Sequence, residues 1–242
     1  MITDDCGNLT IILPVWNERE TVPRVLAELL AVPRLGRARV LIVDDGSTDG
    51  GGVELDAWAD REARVRVVHL SHEGKDAALW HAVAKADTEW LCAMDADGQY
   101  DPKDIVRLMD HAEGSGADAV WGVRTAREDT ALRFVSSTVG RMARRLVLGT
   151  TVVHDSGCGL VVARRTFYNW VRVACSRPAG LVHCQLAELI HAQGGKVAEL
   201  PIAHRPRHGG CAKFGALNRI MPGLRSLLQA RRARHDLSGK GA

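Results

Sequence analysis

The chain has 242 residues, 46% of them hydrophobic and 25% charged, with a formal net charge of +3. That length allows one large domain, or one domain with an appendage, and the ordinary composition excludes a fibrous or disordered chain. The charge is too small to argue for a nucleic-acid partner, and no stretch reaches the roughly 20 apolar residues that a membrane-spanning helix needs. The six cysteines (Cys6, Cys92, Cys158, Cys175, Cys184 and Cys211) are scattered, without a Cys-x-x-Cys pair. Neither a zinc site nor a disulfide framework is suggested, so a reducing compartment is expected. The acidic start Met1-Ile2-Thr3-Asp4-Asp5 lacks a signal-peptide pattern, which points to a cytoplasmic protein.

Strands and helices alternate through the first half. Leu9 to Val15 reads as a strand and Thr21 to Leu30 as a helix. Val40 to Val43 and Val65 to Leu70 are further strands, and Lys75 to Ala86 is a helix with Ala78, Leu79, Ala82 and Val83 on one face. Trp90 to Met94 is a buried strand, Pro102 to Ala112 a helix and Ala117 to Trp121 a strand. This order predicts a parallel sheet covered on both faces. The second half is less regular. It reads as a basic helix over Leu132 to Leu148, a polar loop over His154 to Gly159 and a strand over Leu160 to Val162. Helices over Arg165 to Cys175 and His183 to Gln193 and a strand over Lys196 to Ile202 follow.

The chemistry gathers where strands should end. Met94-Asp95-Ala96-Asp97-Gly98-Gln99 follows one strand, Asp44-Asp45-Gly46-Ser47 ends another, and Glu18 follows the first. In an open α/β sheet the carboxyl ends of the strands form the ligand crevice, and paired carboxylates there suit a hard divalent cation carrying substrate phosphates. So many acids would repel one another unless a cation or hydrogen-bond donors compensate, and a metal-bound nucleotide supplies both. Neither Gly-x-Gly-x-x-Gly nor Gly-x-x-x-x-Gly-Lys-Ser/Thr is present, which argues against a dinucleotide-binding domain and a P-loop NTPase. His69 and His72 read as surface histidines rather than metal ligands.

Leu13-Pro14-Val15-Trp16-Asn17-Glu18, Val43-Asp44-Asp45-Gly46-Ser47-Thr48-Asp49, Gly74-Lys75 and Met94-Asp95-Ala96-Asp97-Gly98-Gln99 stand in order along the chain. Gly122-Val123-Arg124, Asp155-Ser156-Gly157-Cys158-Gly159-Leu160 and a segment from Arg205 to Gly215 follow. Together they resemble the signatures of family-2 glycosyltransferases, above all the dolichol-phosphate mannosyltransferase-like, or polyprenyl-phosphate, subgroup. The resemblance covers roughly residues 9 to 230. It implies a GT-A fold (a Rossmann-like, mostly parallel sheet with helices on both faces) and inverting transfer from a GDP- or UDP-sugar to a polyprenyl or dolichyl phosphate. Under it, Pro14, Glu18, Asp44, Asp45, Lys75 and Asp95 would meet the nucleotide sugar. Asp95, Asp97 and Gln99 would hold Mg2+ or Mn2+ against the diphosphate, with Arg124 and Arg127 as further cations for the leaving group.

The acceptor decides whether a base is needed. A lipid phosphate is already an anion and needs positioning, for which Arg205, Arg207 and Lys213 are candidates, with His183 near the same pocket. A hydroxyl acceptor would need a base, and by the resemblance Asp155 stands where one would act; an acid orienting a loop or an arginine is the other reading. The chain departs from the family at Ala212, where serine is expected, and at Val161, where many relatives carry a cation. The expected division is a catalytic domain over 1–215, with a nucleotide-sugar half at about 9–125 and an acceptor half at about 126–215, followed by a basic amphipathic helix and tail over 216–242. In that tail Leu217, Ile220, Met221, Leu224, Leu227 and Leu228 follow helical spacing beside Arg219, Arg225 and Arg231. The stripe either packs on the domain or lies on a membrane surface. The rival functions are transfer to a soluble hydroxyl acceptor, nucleotidyl transfer, and nucleotide-sugar binding without catalysis.

Overall fold

The computed structural model describes residues 6–125, 140, 142–174, 183–206 and 220–238. A single sheet of seven strands, in the order β3-β2-β1-β4-β6-β5-β7, runs through it. Its strands are β1 (Leu9–Val15), β2 (Arg39–Asp44), β3 (Val65–His69), β4 (Trp90–Ala93), β5 (Ala119–Arg124), β6 (Val161–Arg164) and β7 (Val197–Ile202). Around them lie α1 (Val22–Leu30), α2 (Gly51–Arg61), α3 (Lys75–Lys85), α4 (Lys103–Ser115), α5 (142–148), α6 (Arg165–Ala174), α7 (Leu186–Ala192) and α8 (Ile220–Ser238).

Consecutive residues of β1, from Leu9 to Leu13, are all buried, as is every residue of β4. Successive side chains of a strand point to opposite faces, so both faces of the central sheet are covered, as its continuous apolar runs predict. Helix α1 buries Val22, Val25, Leu26 and Leu29, a single stripe at helical spacing, and starts with a proline in its first turn. Helix α4 ends at Gly116, whose φ of 64° is the left-handed conformation that glycine adopts without penalty.

The structure departs from the sequence expectations in three places. Helix α2 has no counterpart in the sequence reading: it opens on two glycines and buries only Gly51 and Leu55, so its apolar period is weak. The sheet is mostly parallel, as the resemblance implies, but the element order did not mark the strand that reverses: β6 runs antiparallel to both β4 and β5. The segment from His183 begins with a 3-10 turn (His183–Gln185) before α7. The expected helix from Leu132 is described only near its end, as α5.

Helix α8 packs on α6, α7 and the His183–Gln185 turn. Ser226, Leu227, Ala230 and Ala233 are buried there, and the Ser226 hydroxyl meets Gln185 Oε1 at 2.7 Å. Leu228, expected within the apolar stripe, is 46% exposed beside exposed Arg225, Arg231 and Arg232. The buried line thus runs along small residues rather than along all the leucines. Burying a charge in that line is expected to destabilise the domain: Ala230→Arg should lower stability by at least ~2 kcal/mol in a denaturant titration. Arg231→Ala should stay within about 0.5 kcal/mol of the parent.

Candidate active site

Strands β2, β1 and β4 are parallel neighbours, so their carboxyl ends open on one crevice. Asp44 closes β2 opposite Val15, and the Asp45 N–H donates to the Val15 carbonyl at 2.8 Å. The Met94 N–H donates to the Ile12 carbonyl at 3.0 Å, which delivers Asp95 and Asp97 to the same edge. Pro14 is half-buried near the end of β1, level with Val43. Asn17 follows with φ of 52°, a strained conformation for a non-glycine residue. Its strain is held by two bonds to the β2 loop: Asn17 N–H to Ser47 Oγ at 2.9 Å, and Thr48 N–H to Asn17 Oδ1 at 2.7 Å. Glu18 is thereby set beside the crevice, where it accepts from the Thr21 hydroxyl at 2.8 Å.

The acids carry donors from the chain itself. Asp44 accepts from the Ser47 N–H at 2.9 Å and from His69 Nδ1 at 2.8 Å. Burial raises its pKa, but the bonds from Ser47 and His69 outweigh burial and leave it lowered. Asp45 accepts from the Glu73 and Gly74 N–H groups at 2.8 and 2.9 Å, with His72 Nδ1 2.9 Å from its second oxygen. Both carboxylates are almost wholly buried. Backbone amides and histidines of the chain itself thus supply donors to these two acids. Gly46 makes the turn fit, since a Cβ there would stand 2.8 Å from the His72 nitrogen at a φ of 70°.

Asp95 is placed differently. Lys75, in the first turn of α3, forms an ion pair with Asp95 Oδ1. Burial raises the pKa of Asp95, and the Lys75 ammonium overcomes it, so the group is held below the ordinary carboxylate range. Its carboxylate lies against Gly159: a Cβ there would come within 2.3 to 2.5 Å of the carboxylate atoms. Gly159 is fixed in turn by its N–H bond to the buried Tyr100 hydroxyl at 2.8 Å. Asp97 is 8% exposed and accepts from the Gln99 N–H at 3.2 Å. Gln99 Nε2 donates to the Arg205 carbonyl at 3.1 Å. No group of three or more His, Cys, Asp or Glu side chains is arranged for a metal among the described residues.

The expected acceptor residues divide. Arg124 clasps Asp155 through two bonds of 2.7 Å, from Nε and Nη2 to separate oxygens. Burial opposes the charge of Arg124, yet the Asp155 carboxylate keeps its pKa well above the ordinary value. Arg205 gives its guanidinium to Glu28 at 2.7 Å and Asp101 at 2.6 Å, so it is committed to α1 and the start of α4 rather than standing open for a phosphate. His183 is buried within reach of the charges of Lys75 and Asp95. Val161 is wholly buried in β6, level with Ala93 and Trp121. Arg127, Arg207, Ala212 and Lys213 lie outside the described residues.

Sequence reading did not single out Trp16, whose indole stacks on the His72 ring at 4.3 Å and 17° beside Asp45, nor Asn17, Tyr100 and Gly159 as positioning groups. Trp16, Asn17 and Gly159 stood inside quoted motifs, but only their neighbours carry obvious chemistry. His69 also bridges to Asp56 at 3.0 Å. The bonds to Asp56 and Asp44 raise its pKa above 6.5. A raised value means that the stabilisation is complete below 6.5 and is lost as pH rises through the folded pKa. The loss of thermal stability caused by His69→Asn should therefore be largest near about pH 5.5 and fade towards about pH 9.

Comparison with known proteins agrees with this architecture. The family model for glycosyl transferase family 2 matches residues 10–170. An undecaprenyl-phosphate 4-deoxy-4-formamido-L-arabinose transferase of Pectobacterium carotovorum is 30% identical over 227 residues, covering 90% of this chain and 65% of that protein. A dodecaprenyl-phosphate galacturonate synthase of Rhizobium johnstonii is 28% identical over 216 residues, covering 86% of this chain and 62% of that protein. The chain thus spans less than two thirds of the length of these curated relatives. In fold it is similar to glucosyl-3-phosphoglycerate synthase of Mycobacterium tuberculosis, solved with uridine diphosphate (TM-score 0.67, 20% identity, 96% of this chain and 84% of that one). The same enzyme has been solved with Mg2+ and with Mn2+. The family match, the relatives and the strand-end site agree: this chain belongs to glycosyl transferase family 2.

Proposed function

We propose that the protein is an inverting, metal-dependent glycosyltransferase that moves a sugar from a nucleotide sugar to a polyprenyl phosphate. The observation that carries this reading is Asp95, kept anionic between Lys75 and Gly159 beside Asp97, in a chain whose relatives are named as polyprenyl-phosphate sugar transferases. On this reading residues 9–125 hold the donor and 126–215 the acceptor.

The donor set fits a hard divalent cation: carboxylate oxygens from Asp95 and Asp97 on one loop, with the amide oxygen of Gln99 available because its nitrogen is bonded to Arg205. Asp95, Asp97 and Gln99 would hold Mg2+ or Mn2+ there, which would supply Lewis-acid neutralisation of the charge on the departing nucleoside diphosphate. Lys75 keeps Asp95 ionised and adds a cation at the same edge. Asp44 and Asp45 shape the loops that receive the nucleoside, the Trp16–His72 stack offers it a flat wall, and Glu18 lies beside them. Arg124, fixed by Asp155, presents a positive charge without needing to reorganise. An acceptor phosphate needs no deprotonation, so Asp155 acts as the positioning partner of Arg124. Arg207 and Lys213 remain candidate phosphate ligands, and Arg205 orders the loop that leads to them. Work at the cytoplasmic face of a membrane follows from such an acceptor; no helix among the described residues is long and apolar enough to cross one.

Labelled UDP- and GDP-sugars incubated with undecaprenyl phosphate and, separately, with 3-phosphoglycerate test the acceptor. Label in the lipid is the expected product, and label only in the soluble compound overturns the lipid assignment. Asp97→Ala should abolish turnover in Mg2+ or Mn2+ with the thermal melt preserved. Full activity of that variant sinks the metal assignment. Gly159→Ala should lower stability by about 1–3 kcal/mol, short of unfolding the protein, because its Cβ would displace the Asp95 carboxylate from its pair with Lys75. Its turnover should nevertheless fall roughly a hundredfold, since a displacement of about 1 Å at the reacting centre is enough for that.

A further inference from the structure

The polar group that the site leaves unexplained is His183. It is 8% exposed, and among the described residues neither ring nitrogen has a hydrogen-bond partner. Its backbone N–H donates to Asp76 Oδ1 at 3.2 Å, which ties it to the turn of α3 that presents Lys75. Its ring faces the Trp121 ring at 5.8 Å, and the indole N–H of Trp121 is also buried without an acceptor. Lys75 and Asp95 are close enough for their charges to act on the imidazole. A histidine that serves packing alone ordinarily has its nitrogens satisfied, because a buried unpaired polar group destabilises the fold.

We infer that His183 is a specificity residue for the donor, hydrogen-bonding a hydroxyl of the sugar to be transferred, and not a ligand of the acceptor phosphate. The argument is one of matching groups and rests on the nucleotide-sugar reading above. A neutral imidazole has one donor and one acceptor nitrogen. A phosphate dianion only accepts and would leave the acceptor nitrogen unpaired, whereas sugar hydroxyls both donate and accept. Burial, and after it the Lys75 ammonium, push the imidazole pKa down to about 4, so the ring is neutral under ordinary conditions. The position agrees: the sugar is bonded to the diphosphate, and the diphosphate belongs beside Asp95 and Lys75. A site built to bond a hydroxyl discriminates strongly against sugars that lack it, because its own groups are then left unpaired.

The test compares matched ligands by calorimetry with Mn2+: UDP against UDP-glucose, and GDP against GDP-mannose. The parent protein should bind at least one sugar nucleotide more tightly than its nucleoside diphosphate. His183→Phe should weaken that sugar nucleotide about tenfold while changing the diphosphate by less than about twofold. His183→Gln, which keeps a donor and an acceptor, should recover part of the loss. Equal weakening of both ligands, or unchanged donor binding with a raised KM for undecaprenyl phosphate, overturns the inference. So does a parent that binds the diphosphates but gains nothing from the sugar. A parent that binds neither diphosphates nor sugar nucleotides overturns the functional reading itself. If His183→Phe loses its cooperative melt, the comparison is made with His183→Gln and His183→Asn, of which at least one must show the sugar-selective loss.

Discussion

Carboxylates gathered at the ends of parallel strands repel one another, and this crevice holds together because its acids are given separate donors. Asp44 has the Ser47 amide and His69; Asp45 has the amides of Glu73 and Gly74; Asp95 has Lys75; Asp155 has Arg124. The means of compensation differ, and that difference sorts the acids by role. Amide and histidine bonds bury Asp44 and Asp45 and make them organisers of loops. The Lys75 pair leaves Asp95 charged beside Asp97, where the proposed cation-bound diphosphate would add to the balance rather than rescue it.

The second part of the chain is bound to the first through the same few groups. Strand β6 enters antiparallel between β4 and β5, and this reversal brings the 155–160 loop over the end of β4. Tyr100 then holds the Gly159 amide, and Gly159, lacking a Cβ, lets the loop lie on the Asp95 carboxylate. On the other side the Arg205 N–H donates to the Gln99 carbonyl at 2.8 Å, while the Gln99 side chain donates back to the Arg205 carbonyl. The proposed cation ligands are thus wedged between elements more than 50 residues apart, which favours a preorganised site.

Charge is distributed in a way that suits the proposed transfer to an anion. Arg124 is held positive and immobile by Asp155, and Arg205 is neutralised by Glu28 and Asp101. Near Lys75 and Asp95 the His183 imidazole meets the Trp121 indole, two rings without a formal charge. A fixed cation suits a phosphate, and neutral paired donors and acceptors suit a sugar. The proposed split between phosphate and sugar contacts follows from that contrast.

The sequence by itself determined the alternation of strands and helices in the first half, because continuous apolar runs and single-stripe helices leave few alternatives. It also placed Glu18, Asp44, Asp45, Asp95 and Asp97 at strand ends, and the motif order carried the family. Helix α2 was illegible because two glycines and a thin apolar face erase its period, and the reversal of β6 was illegible because direction leaves no mark on an apolar run. Only the tertiary structure decided which donor each acid receives, that Gly159 underlies Asp95, that Arg205 is committed to Glu28 and Asp101, and that the ring of His183 is buried with its nitrogens unpaired among the described residues. Those are contacts between residues far apart in the chain, and local pattern records what a residue can bond to, not which neighbour the fold brings to it.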